Sequence, residues 1–575
     1  MAVQLSPGVS IAEVDLTTVV PTVSTTTGAF AGNFVWGPAN VRVPVDSEIT
    51  LVNTFGKPDT NTYTSFFTAA SFLAYGNNLE LVRAVDANSY NAQANTTGAS
   101  VQIANESDYE IMYFHTNNQN QHGAFAARYA GALGNSIQVQ TFDSSNTTAF
   151  SAWTYAGYFN GAPTTSDYVS NVGGANDEFH IVVLDTTGSI SGTQNAILET
   201  FPYVSKAYDA VDGNGISTYW KNVLLNQSKY VYAMDPVDYA NTSATWGSRA
   251  ANTTFARTGT ALTTLNLSGG TTAAVQDADL MYAYGLFANP EEVDVSLVMT
   301  GDADVTMQQY IIDNIVTPAG SLDGRSGDAV AFISPPYSAV VNQSGQETTN
   351  IQTWLTSLSR SSSYTVVDSG WKYMYDKYNK VYRYVPLNGD IAGLCVYTDS
   401  VRDAWWSPAG YNRGAIKNVV KLAWNPNKTA RDILYPIGVN PVISTPGNGT
   451  VLFGDKTLQA KPSAFDRINV RRLFIVLEKA ISLASRYSLF EFNDSFTQAQ
   501  FVALVSPFLR DVQGRRGIYD YRVVCDSTNN TPQVVDSNQF VGDIYIKPAR
   551  SINWIQLNFI AVGTGVTFSE VAGAV

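Results

Sequence analysis

The chain has 575 residues, 45% of them hydrophobic and 14% charged, with a formal net charge of −14. That balance is apolar enough to bury real cores and far from a disordered composition. Phosphate contacts need Lys and Arg, so an acidic chain of this kind is not expected to have nucleic acid as a direct partner.

The length is that of about four ordinary domains. Two cysteines, Cys395 and Cys525, cannot make a disulfide framework. Each sits in an apolar run and reads as a buried thiol in a protein that folds in a reducing cytoplasm. The opening MAVQLSPGVSIAEVD has neither the basic start nor the apolar core of a signal peptide. No run approaches the roughly 18 apolar residues of a membrane helix, so no membrane insertion is expected.

In chain order, Pro7-Gly8 makes a turn, and Val9, Ile11, Val14 and Leu16 then alternate with polar residues as an extended arm. Thr17 to Gly28 reads as a linker or edge strand holding Pro21. Phe66 to Tyr75, closed by Gly76, predicts a helix, and Leu79 to Val85 a short strand. From about 89 to 177 the composition turns to Asn, Ser, Thr, Gly and Tyr with short alternating runs, which reads as an inserted β-rich domain. Phe179 to Leu184 restarts a buried strand, and Ala196 to Lys206 is expected as a helix.

Strand–helix–strand punctuation follows over Asp277 to Pro336: Val293 to Met299, Thr306 to Val316 and Ala329 to Ile333. That βαβ-like unit predicts parallel strands. The longest helix candidate is Phe465 to Tyr487, with Leu473, Val476, Leu477, Ala480 and Ala484 at helical spacing. Six basic and two acidic residues between Lys461 and Arg486 make this segment basic inside an acidic chain. Its face reads either as a solvated surface, as cations paired with carboxylates such as Asp466, or as a docking surface for an acidic partner. Ile544 and Ile546, then Ile555, Leu557 and Phe559, predict terminal strands, and a free terminal strand is an edge ready to pair with another chain.

Signals of catalysis are weak, and no cofactor, metal or catalytic residue is assigned. The three histidines, His115, His122 and His180, have no metal-ligand spacing, and no G-x-S-x-G elbow occurs. The closest imitation of a phosphate loop is Gly449 to Thr457, where Asp455 intrudes between the second glycine and Lys456. A carboxylate there repels the phosphates that backbone N–H groups would cradle. No spacing singles out a carboxylate pair for a tail-associated glycan hydrolase, the minor enzymatic alternative.

Longer stretches are more specific. Val385 to Val419 (VPLNGDIAGLCVYTDSVRDAWWSPAGYNRGAIKNV), Val451 to Ser482, LFEFND at Leu489 to Asp494, and Tyr521 to Phe559 resemble the contractile tail sheath proteins of T-even-type phages. So do SPGVSIAEVD at Ser6 to Asp15, FAARYAGALGNSI at Phe125 to Ile137, Asp177 to Thr193 and Tyr219 to Tyr232. These motifs run in family order over nearly the whole chain and weaken over about 140–176 and 235–280.

The resemblance implies a multidomain α/β (mixed α+β) protein. An arm, residues 1–20, would join a conserved inner domain at 351–575. Residues 21–88 and 178–350 would form an outer α/β domain, and 89–177 an outermost β-rich insertion. It implies a structural, non-enzymatic subunit that polymerises as hexameric discs around a tail tube and contracts to drive the tube through a host envelope for genome ejection. Terminal arms would add strands to neighbouring subunits, here through Val9, Ile11, Val14, Leu16, Ile552, Trp554, Ile555, Leu557 and Phe559. Further expected partners are the tube protein, the baseplate, and tail terminator or neck proteins. The basic helix residues Arg467, Arg471, Arg472 and Lys479 are the expected tube contact. The expected location is the virion tail, assembled in the host bacterial cytoplasm. The sheath of a phage-tail-like bacteriocin or secretion machine is the alternative setting.

Overall fold

The computed structural model describes residues 20, 23–94, 100–114, 122–317, 327–553 and 555–556. The chain divides into two compact units. The larger holds Pro21–Ala404 and Pro408–Ser482; the smaller holds Trp405–Ser407 and the chain from Leu483 onward.

The larger unit is founded on short apolar strands. Strand β1 (Gly28–Gly32) is buried throughout, as expected of a strand covered on both faces. It pairs in parallel with β3 (Leu79–Arg83), whose other edge carries the antiparallel β2 (Arg42–Val45). The segment predicted to be a helix from Phe66 forms one over Tyr63–Leu73, with Phe66, Phe67 and Phe72 facing the core.

The chain then leaves for a second, antiparallel sheet. Its strands are β4 (Gln93–Ala94), β5 (Phe125–Ala127), β6 (Ile137–Phe142), β7 (Glu178–Asp185), β8 (Ala196–Ser205), β9 (Val231–Ala233) and β10 (Leu262–Ser268), in the order β8-β7-β6-β10-β4-β5-β9. The β-rich insertion therefore does not stop at 177: β7 pairs with β6 over six residues, from Ile137↔Asp185 to Phe142↔His180. The apolar run Phe179 to Leu184 belongs to the inserted sheet, and the chain returns to the parallel sheet only after β10.

The helix expected over Ala196 to Lys206 is instead strand β8. Its ladder partner is β7, whose backbone groups need satisfying along a long buried edge. Pro202 blocks an interior helical turn but is tolerated on an outermost strand, where β8 lies.

The predicted βαβ unit is present. Strand β11 (Leu297–Met299) runs parallel to β12 (Val330–Ile333), with helical turns over Val305–Val316 between them. Strand β13 (Thr365–Asp368) extends the same sheet, so position 350 is not a boundary between folded bodies. A three-stranded sheet follows: β14 (Trp371–Asp376), β15 (Val381–Pro386) and β16 (Lys421–Leu422). Strand β17 (Val439–Asn440) completes a sheet of order β17-β13-β12-β11-β1-β3-β2, parallel except for β2, and β18 (Val442–Thr445) and β19 (Gly449–Leu452) form a hairpin.

Helices Tyr63–Leu73 and Asn388–Val401 cross on one face of the parallel sheet at unusually short range. A Cβ added to Gly389 would lie 2.4 Å from the carbonyl oxygen of Thr68, and one added to Gly393 would lie 2.4 Å from the ring of Tyr75. The inserted sheet is stitched to the parallel one by Arg83 at the end of β3. Its buried guanidinium donates to the carbonyls of Phe34, Gly37 and Ala130 at 2.7 to 2.9 Å.

In the smaller unit, helix Ser495–Gly514 begins at Asp494, whose carboxylate accepts the N–H groups of Phe496 and Thr497. It buries Phe501, Val505, Leu509 and Val512. Strands β20 (Ile518–Val524) and β21 (Asp543–Pro548) pair antiparallel, and the Tyr521 hydroxyl donates to the Ser506 carbonyl of the helix.

Candidate functional site

Three places could carry function: the ligand positions of an α/β sheet, the basic helix, and the edges of the small C-terminal sheet.

In open α/β sheets ligands sit beyond the carboxyl ends of the parallel strands. Here that position is filled by protein. The Asn388 amide donates to the Gly301 carbonyl at 2.7 Å, and its oxygen accepts the Gly301 N–H at 3.1 Å. The Ser334 hydroxyl, at the end of β12, donates to Asp368 at 2.7 Å and accepts the Asn388 N–H at 3.0 Å. Burial pushes the Asp368 carboxyl up to about 8. This is a closed polar network that fixes one core arrangement.

A groove of about 600 Å³ lies elsewhere, between residues 23–26 and the ends of helices Tyr63–Leu73 and Asn388–Val401. Its one carboxylate, Asp399, is engaged by Arg472 and by the Thr25 hydroxyl. The near-phosphate loop begins as the second strand of a hairpin: Gly449 to Leu452 is β19, and Asp455 beyond it is buried and ion-paired with Arg467 at 3.0 Å.

His180 is buried, with both ring nitrogens used inside the fold, and His115 lies outside the described residues. Among the described residues no group of three His, Cys, Asp or Glu is placed to hold a metal. No helix among them is long and apolar enough to cross a membrane. Both cysteines are buried, and burial pushes the Cys395 thiol up to about 11.

The basic helix forms over Ile468–Ser485, after a short turn at Ala464–Asp466. The cations expected to meet a tube do not line one solvent face. Arg472 is buried, with Nη1 and Nη2 at 2.8 and 2.6 Å from the two oxygens of Asp399. Arg471 is buried between the rings of Tyr364 and Phe465, at 4.1 and 4.0 Å from their centroids, and donates to the Ser363 hydroxyl. Lys479 reaches Asp294 at 2.6 Å and Ser296 at 3.0 Å. Arg467 pairs with Asp455 and, at 3.6 Å, with Asp466.

Arg467, Arg472 and Lys479 pair with carboxylates of the same chain, one of the readings the sequence left open, while Arg471 is held by two aromatic rings and hydroxyl groups. Asp466, at 3.6 Å, is a more distant partner of Arg467 than Asp455 at 3.0 Å. Sequence reasoning missed the others because Asp399 and Asp294 are 73 and 185 positions from their cations.

The C-terminal sheet has the opposite character. It is two-stranded and partly exposed, and among the described residues no third strand pairs with either outer edge. An isolated two-stranded sheet is marginal in water, and unpaired edges are templates for another chain. Just beyond it, Ile552 and Ile555 are exposed. The remaining strand-exchange candidates, Val9, Ile11, Val14, Leu16, Trp554, Leu557 and Phe559, lie outside the described residues.

The sequence matches settle the family. Residues 297–458 match the phage tail sheath protein central domain, and 460–561 the phage tail sheath C-terminal domain. The tail sheath protein of Vibrio phage KVP40 is 34% identical, over 99% of this chain and 100% of that protein. The chain belongs to the phage tail sheath family. The tail sheath protein of Enterobacteria phage T4 is also 34% identical, over 99% of both chains.

Among solved structures, the sheath tail protein from Listeria innocua superposes with a TM-score of 0.51 at 11% identity, covering 92% of this chain and 96% of that one. The contracted helical sheath of the anti-feeding prophage gives 0.51 at 14% identity, covering 97% and 99%. These two likenesses concern the fold alone. The chain is thus a tail sheath subunit with a mixed α/β multidomain fold, and its relatives are structural proteins.

Proposed function

We propose that the chain polymerises as hexameric discs around a tail tube and contracts to drive that tube through a host envelope for genome ejection. The observation that carries this is the two-stranded C-terminal sheet, whose outer edges find no partner among the described residues. In this reading the segment from Ile552 of one subunit, and the arm around Val9 to Leu16 of another, add strands to β20 and β21. Each cross-strand pair contributes about 0.2–1 kcal/mol, so several per junction give a connection that persists while subunits rotate. Head-to-tail addition that does not close on itself makes a filament.

The extended sheath would be a high-energy assembly held by tube and baseplate, with terminator or neck proteins at the far end. Release would let subunits repack without nucleotide. Assembly in the host cytoplasm suits two buried, unpaired thiols. The relatives at 34% identity favour a phage tail over a bacteriocin or secretion machine. Of the four cations expected to meet the tube, contact is retained only for Arg467, the most exposed, because Arg471, Arg472 and Lys479 would have to abandon internal partners.

The test is to image the full chain, and a version ending after Arg550, by negative-stain electron microscopy. Striated hollow tubes from the full chain, lost on truncation, are the expected result. Tubes from both would overturn strand exchange through the C-terminal segment.

A further inference from the structure

Two surface aromatic patches, one exposed and one half-exposed, are unused by anything described so far, and they carry opposite charge. The first is a knob that immediately precedes helix Ser495–Gly514 in the smaller unit. Tyr487, Leu489, Phe490 and Phe492 are all exposed there, Phe490 completely (105%) and Phe492 at 85%. The backbone of Phe490 is left-handed, with φ +70, a conformation that bulky side chains rarely adopt.

The knob is held firmly. The Asn493 side chain bonds Asn530, the Gln539 carbonyl and Gln498, and Asp494 caps the following helix. Glu491 and Asp494 are exposed beside the rings. The amide donors at the cap hold the Asp494 carboxyl below its ordinary value and therefore charged. A largely exposed aromatic cluster contributes little to the stability of its own chain, and patches of this kind mark protein contacts.

The second patch is the outer face of the β14–β15–β16 sheet in the larger unit. Tyr373 faces Tyr384 across the strands, and Tyr375 faces Tyr382, with ring centroids 4.6 and 5.1 Å apart. Lys421 stands opposite Tyr373 on β16, its Nζ 4.9 Å from that ring, and Lys380 lies exposed in the turn between β14 and β15. The face is thus aromatic with a cationic rim. Tyrosine surfaces of this sort give large contact area at little conformational cost.

We propose that the Tyr487–Phe492 knob of one chain docks on the β14–β15 tyrosine face of a second copy, with Glu491 and Asp494 set against Lys421 and Lys380. The occupant follows from complementarity: an acidic-rimmed aromatic projection and a basic-rimmed aromatic sheet are two different patches on one chain. Two different complementary patches give a head-to-tail contact, which propagates. The inference rests on the sheath reading only in requiring self-association. It is independent of the terminal strands.

The experiment uses the full-length chain in sedimentation velocity over a concentration series, with circular dichroism to verify folding. Glu491→Arg and Lys421→Glu are each expected to weaken self-association at least ten-fold, and their equimolar mixture to restore it, because the reversed knob of one meets the reversed face of the other. Phe490→Ser is expected to weaken association without rescue by either partner. A wild-type chain monomeric at every concentration overturns the docking. A wild-type chain that assembles while both charge variants assemble equally well leaves the sheath reading standing and overturns this contact. A Glu491→Arg chain that self-associates normally but no longer pellets with tail tube assigns the knob to the tube and also overturns it.

Discussion

The guanidinium of Arg472 meets both carboxylate oxygens of Asp399, at 2.8 and 2.6 Å, in a site where both side chains are almost fully buried. The pair joins helix Ile468–Ser485 to the end of helix Asn388–Val401, and Arg472 also donates to the Thr25 carbonyl. Removing one partner of a buried pair leaves a charge without compensation and costs about 3–5 kcal/mol, whereas replacing both with apolar groups is often neutral. Asp399→Asn and Arg472→Met are therefore each expected to lower the thermal unfolding midpoint markedly, and Asp399→Leu with Arg472→Met to recover most of the loss. A double variant as damaged as the sum of the singles would show that the pair is not one energetic unit.

The helix crossing makes a sharper steric prediction. At Gly389 the obstacle to a Cβ is backbone, the Thr68 carbonyl at 2.4 Å, which moves only with its whole helix. At Gly393 the obstacle is the Tyr75 ring, whose hydroxyl donates to Asp390 and accepts the Lys417 N–H. Overpacking of this kind costs about 1–3 kcal/mol. Gly389→Ala is expected to destabilise more than Gly393→Ala in differential scanning calorimetry. Equal wild-type stability for both would mean the helices separate freely.

The basic helix yields a prediction about what charge reversal does. Arg471→Glu would place a carboxylate between the Tyr364 and Phe465 rings, where a cation is favoured and an anion is not. Loss of soluble folded protein is expected, rather than selective loss of tube binding. Arg467 is more exposed, and Arg467→Glu is expected to fold but to repel Asp455 and so lower the unfolding midpoint. Folded Arg471→Glu protein that has lost only tube affinity, in a pelleting assay, would restore the docking role of this face.

What the sequence disclosed and what it hid follow from range. Phe179 to Leu184 was legible as a buried strand because its signal is local: six consecutive residues without a charge apart from His180. Its membership in the inserted sheet was not, because that depends on pairing with Ile137–Phe142 some 40 positions away. Ala196 to Ser205 was misread although Pro202 was present, since an outermost strand tolerates what a helix interior does not. The cations of the long helix were countable, but their partners were not, because burial and the Asp399 and Asp294 contacts are set by tertiary packing. The aromatic knob stood within the LFEFND motif, yet nothing local distinguishes an exposed Phe490 from a core phenylalanine.

His180 ties the inserted sheet to pH. Its Nε2–H donates to the Gly161 carbonyl at 2.8 Å, and its Nδ1 accepts the Tyr203 N–H at 3.0 Å, from a residue held at φ +52. The ring stacks on Phe159 at 4.3 Å. A protonated imidazole has no acceptor, so the Tyr203 bond exists only with the neutral ring. Burial lowers the pKa below 6.5, partly countered by the Gly161 carbonyl. The unfolded chain then binds a proton that the folded chain refuses, and stability, full above about pH 6.5, is lost as pH falls below it. The charged group nearest in sequence, Glu178, has its carboxyl raised by burial, which acts in the opposite sense. The informative quantity is therefore the difference between wild type and His180→Asn. At pH 7.5 the variant is expected to unfold at lower temperature, having lost the stacked ring, and the gap is expected to narrow steadily toward pH 5. A gap that stays constant across that interval would mean the imidazole titrates alike in the folded and unfolded chains.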